Sequence, residues 1–71
     1  MKLVTIKLNN KNTFRIEFIR FCMKNEISVW LTWQEEDLWE DILFCEVSVP
    51  EAAMDKLQAK YHKAIIATET I

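Results

Sequence analysis

Few side chains in this 71-residue chain could do chemistry. His62 is the single histidine, beside Lys60 and Lys63. It falls on the polar side of an expected helix, near the negative end of the dipole, where a solvated side chain is the ordinary outcome. No serine or cysteine stands in a nucleophile motif, and no second base accompanies His62. Cys22 and Cys45 lie in apolar runs and read as two buried free thiols. A disulfide between them would require neighbouring strands in the right geometry. Two cysteines and one histidine lack the close spacing of a structural zinc site. Glycine is absent, which excludes phosphate-cradling loops and dinucleotide fingerprints. The chain therefore reads as a non-enzyme with no cofactor and no metal.

One cluster stands out. Glu35, Glu36, Asp37, Glu40 and Asp41 form an acidic block interrupted by Leu38 and Trp39, and it holds five of the eleven acids. A solvated loop is the plain reading. A metal site is the second, although the spacing fits no calcium loop. The third is a docking edge for a basic protein surface, with Trp39 as anchor between Glu36 and Asp37 on one side and Glu40 on the other. Phe21, Trp30 and Phe44, with Lys7, Arg15 and Arg20, could also form a stacking platform for a nucleic acid. No glycine–aromatic motif or basic stripe supports that use, and core packing explains the aromatics more simply.

The elements that must position these residues follow from periodicity. Residues 48–67 read as the organising helix. Ser48 and Glu51 have the spacing of a capping box, and Pro50 suits a first turn. Ala53, Met54, Leu57, Tyr61, Ala64 and Ile65 make one apolar stripe. Residues 2–8 alternate as a half-buried strand, with Val4, Ile6 and Leu8 inward. Residues 13–23 read as a second strand, with a bulge at Phe18-Ile19 to absorb a slip of phase. Residues 27–33 form a third, with Ile27, Val29, Leu31 and Trp33 on one face and Trp30 on the other. Residues 34–41 read as an acid-rich loop or helical turn, residues 42–49 as a fourth strand, and residues 68–71 as a fraying tail.

These pieces assemble most simply as a single α+β domain: a four-stranded antiparallel meander with one C-terminal helix packed on one face, ββββα. One helix covers one side only. The reverse side would carry Leu3, Thr5, Lys7, Arg15, Glu17, Trp30, Thr32, Phe44 and Glu46, aromatics set among charges. Half the residues are hydrophobic and three are tryptophan, more apolar matter than so small an interior can hide. A homodimer or a partner-binding face is expected.

The passage Val47-Ser48-Val49-Pro50-Glu51-Ala52-Ala53, continuing to Ala59-Lys60, resembles one in a family of small phage anti-CRISPR proteins that act on type I-F systems. The likeness covers about fifteen residues. It implies a small inhibitor that works by occupying a host protein's surface, and it carries no functional residue across.

The expectation is thus a non-enzymatic protein-binding module, a phage or mobile-element factor that inhibits or modulates a host protein. Trp30, Phe44, Glu36, Asp37 and Trp39 would make the contacts. A small nucleic-acid-binding regulator and a self-associating structural subunit are the alternatives. The net charge of −2 announces neither nucleic acid nor membrane. No signal-peptide run or membrane-length segment is seen, so a cytoplasmic place is expected.

Overall fold

The computed structural model describes residues 1–36 and 39–70. The chain runs β1 (Lys2–Asn9), α1 (Asn12–Lys24), β2 (Ser28–Glu36), β3 (Asp41–Val49), α2 (Glu51–Tyr61) and β4 (Ile65–Thr70). The strands make one antiparallel sheet in the order β2-β3-β1-β4. Each helix connects two strands that another strand separates in the sheet, so the split β-α-β unit occurs twice, the ferredoxin-like connectivity. The α+β class and the four-stranded antiparallel sheet agree with expectation. The meander and the lone C-terminal helix do not: among the described residues there are two helices, one of them mid-chain.

The largest correction is α1, read from sequence as a strand. Phe14-Arg15-Ile16-Glu17-Phe18 alternates, and that short window satisfies period two. Over the whole segment Phe14, Phe18, Phe21 and Cys22 recur at helical spacing. Phe18 and Cys22 are buried and Phe21 is partly so. The slip at Phe18-Ile19 is what a 3.6-residue period produces, and it requires no bulge.

The end of α1 explains how a chain without glycine turns. Glu26 has φ 58°, in the left-handed region. The Ile27 N–H donates to the Cys22 carbonyl at 2.9 Å, the six-to-one bond of a Schellman motif. Ile27 and Cys22 both join the core cluster, supplying the apolar contact that accompanies such an end. A side chain with a Cβ is strained at this φ. Glu26→Gly should therefore raise stability by about 0.5–1 kcal/mol, read as a higher urea midpoint at unchanged slope.

α2 begins later and ends sooner than its sequence pattern suggests. Its N-cap is Pro50, and no side chain caps it. Ser48 stays in β3, buried, opposite Leu3 and Ser28, so the Ser48–Glu51 capping box does not form. After Tyr61 the Ala64 N–H donates to the Tyr61 carbonyl at 2.8 Å, and the chain enters β4 beside β1. Ile65, Ile66, Thr68 and Thr70 are β-branched and suit a strand. Residues 68–70 are thus paired sheet, not a frayed tail, and Ile71 lies outside the described residues.

Both helices lie on one side of the sheet. Val4, Ile6 and Leu8 of β1 and Cys45, Val47 and Val49 of β3 meet Phe18 and Cys22 of α1 and Ala53, Met54 and Leu57 of α2 in one core. Tyr61 ties the helices together, its ring edge-on to Phe18 and Phe21, each 5.3 Å away. Such pairs favour edge-to-face geometry. Lys60 bridges to Glu17 at 3.1 Å with both side chains well exposed, a contact that adds little.

Cys22 and Cys45 are buried and free. Burial, with a smaller contribution from Cys45, pushes the Cys22 thiol from 9.0 up to about 12. Burial raises Cys45 as well. Tyr61 moves the same way, through burial first and then the charges of Glu17 and Cys22. An acid raised in the fold keeps its proton after the unfolded chain has lost it. Stability is full below the unfolded thiol pKa and falls as pH rises towards about 12. Urea midpoints should therefore drop between about pH 8 and about pH 10.5. A thiol-specific reagent at the lower pH should label both cysteines only as fast as the chain opens.

Candidate protein-binding face

Directly opposed residues in a sheet share a face, and neighbours alternate. Leu3, Thr5 and Lys7 of β1 and Ile42, Phe44 and Glu46 of β3 therefore occupy the side away from the helices. Ala67 and Glu69 of β4 join them opposite Thr5 and Leu3. Among the described residues, no helix covers this side.

A bulge decides what β2 contributes. Val29 pairs with Val47, but Leu31 pairs with Glu46, leaving Trp30 as the extra residue. The alternation changes phase there. Leu31, Trp33 and Glu35 go to the open face with Glu46, Phe44 and Ile42, and Thr32 and Gln34 turn towards the helix side. This reverses the sequence expectation, which placed Leu31 and Trp33 inward and Thr32 outward. The signal was present: Val29, Trp30 and Leu31 are three consecutive apolar residues, so polarity does not fix the phase at that point. Arg15 and Glu17, expected on the open face, stand on α1 instead.

The centre of the face is aromatic. Trp33 lies flat on Phe44, centroids 5.2 Å apart and planes at 7°. Trp30 is 64% exposed and Leu31 55%. Lys7 stands directly opposite Phe44, Glu46 opposite Leu31 and Glu35 opposite Ile42, and Glu69 lies on β4, two strands from β3; Lys7 is the one base at the described open-face positions. Aromatic side chains present a large contact area that loses little conformational entropy on binding.

Of the five residues expected to make contact, the structure describes four, and they lie in two places. Phe44 is on the open face and half-buried beneath Trp33, and Trp30 projects at the bulge. Glu36 pairs with Asp41, in the alternation that leaves the open face. Trp39 is 89% exposed near the β2–β3 connection, and Asp37 lies outside the described residues. Glu35 and Glu36 belong to β2 and Asp41 to β3, so the acidic block is partly strand rather than loop. Trp33 is the residue that sequence reasoning missed.

Charge is divided unevenly along the chain. Residues 11–24 and 51–63, which contain the helices, hold seven bases and three acids; the remainder holds two bases and eight acids. The helix segments carry +4 and the rest −6. At the described open-face positions Glu35, Glu46 and Glu69 stand against the single base Lys7. Among the described residues, no three His, Cys, Asp or Glu side chains converge to hold a metal, and no helix is long and apolar enough to cross a membrane.

The chain matches no family model, no curated protein and no solved structure.

Proposed function

We propose that the chain is a non-enzymatic protein-binding module that covers the surface of a host protein with its open sheet face. The observation that carries this reading is the Trp33–Phe44 stack, flanked by exposed Trp30 and Leu31 and rimmed by Glu35, Glu46 and Glu69. An apolar aromatic centre within a charged rim is the anatomy of a protein interface. The face carries these three acids and one base, Lys7 opposite Phe44, so a complementary surface has an excess of bases around an apolar centre. The same acids oppose a phosphate backbone, which disfavours nucleic acid on this face. The resemblance of residues 47–60 to phage anti-CRISPR proteins supports a host protein as the target and a phage or mobile element as the source.

The test is affinity capture from host lysate with three baits. The intact chain should retain a discrete basic partner, and a Trp33→Ala/Glu46→Lys chain should lose it. A chain altered on the helix side, Arg20→Glu/Lys24→Glu, should keep it. Equal retention by the first two baits rejects the open face as the contact.

A further inference from the structure

The helix layer carries a second exposed apolar patch. Ile16, Ile19 and Met23 recur at helical spacing along the outside of α1 and are 50%, 52% and 76% exposed. Arg20, Lys24 and Lys56 stand beside them, on the lips of a groove of about 960 Å³ between α1 and α2 that also includes Ile16 and Phe21. Lys60 in that groove is paired with Glu17. The patch is thus an apolar stripe with Arg20, Lys24 and Lys56 along its α2 flank, where Glu26 adjoins Lys24 and Lys56. It is the counterpart in net charge of the open sheet face, which is apolar at its centre and carries Glu35, Glu46 and Glu69 against the single base Lys7.

We infer that a second copy of this chain docks its basic α1–α2 layer on the open sheet face, so that copies stack head to tail. This rests on the proposed reading of the open face and names a partner for it. Each face supplies what the other lacks. Ile16, Ile19 and Met23 cover Trp30, Leu31 and the Trp33–Phe44 stack, and Arg20, Lys24 and Lys56 meet Glu35, Glu46 and Glu69. Guanidinium and ammonium groups also favour the faces of exposed tryptophans. The symmetric alternative, sheet against sheet, brings together two faces that each carry Glu35, Glu46 and Glu69 against one Lys7, and like net charge across an interface is costly. A head-to-tail contact leaves one face free at each end, so assembly does not stop at two copies unless the stack closes into a ring. A basic host surface on the open face competes with this stacking.

Sedimentation velocity across a concentration series tests the inference. At about 50 mM salt the mean mass should climb past that of a dimer, and at about 1 M salt, where the Debye length is only ~3 Å, it should fall back towards monomer. Arg20→Glu/Lys24→Glu and Glu35→Lys/Glu46→Lys each give both faces one sign, and each chain alone should stay monomeric. Combining all four substitutions in one chain exchanges the signs and should restore growth, as should mixing the two double variants. A monomer at every concentration overturns the inference. So does a dimer that Arg20→Glu/Lys24→Glu leaves intact, because that dimer is sheet to sheet. The Arg20→Glu/Lys24→Glu chain keeps its open face, so its host capture reports on the function reading separately from its mass.

Discussion

Phe18→Ala should remove roughly 3–5 kcal/mol of stability, the range for truncating a buried aromatic side chain. Phe18 is 2% exposed, among the largest side chains wholly inside, and its ring meets Tyr61 edge-on at 5.3 Å. The substitution therefore opens a cavity at the seam where α1, α2 and the sheet meet. For a domain of this length total stability is of order 4–11 kcal/mol, so the loss is a large part of the whole. At about 4–8 °C per kcal/mol, the melting temperature should fall by tens of degrees. Ile16→Ala, two residues away, should cost under about 1 kcal/mol, because Ile16 is half exposed on the outer side of α1. The contrast between the two is the decisive reading. A strand would put Ile16 and Phe18 on the same face and make both substitutions severe. Near-equal losses in thermal or urea melts would contradict α1 as a helix.

The second large effect concerns binding. Trp33→Ala, with Phe44 left in place, should weaken host capture by about 30-fold or more, the scale of a 2 kcal/mol hot spot at the centre of an interface. The folded state should lose much less, because Trp33 packs on Phe44 at the uncovered side of the sheet and stays outside the buried core. Binding and melting should thus separate for Trp33→Ala, whereas they fall together for Phe18→Ala. Glu36→Lys/Trp39→Ala locates the contact. If the open face binds, these substitutions at the far end of β2 and beyond it have a minor effect. If they abolish capture while Trp33→Ala does not, the contact is the β2–β3 connection.

Both expectations depend on features that the sequence displays unevenly. β1 and β3 were legible almost to the residue. Each has one face of Val, Ile, Leu or Cys under the helices, and burial of that face fixes the phase. The stripe Ala53, Met54, Leu57 and Tyr61 likewise marked α2. The α+β class and the surplus of apolar surface followed from these elements and from the count of aromatics.

Three things were settled only by tertiary structure. Residues 12–24 satisfy two periods over a short window, and burial of Phe18 and Cys22 against a sheet selects the helical one. Residues 64–67 continue a helical stripe, yet β1 has a second edge with unpaired backbone groups, and pairing them draws Ile65–Thr70 into β4. The bulge at Trp30 decides which tryptophan joins Phe44 on the open face, because three consecutive apolar residues leave the phase of β2 undetermined until β3 sets the register. In each case the local pattern fitted two conformations, and contacts with residues distant in sequence chose between them.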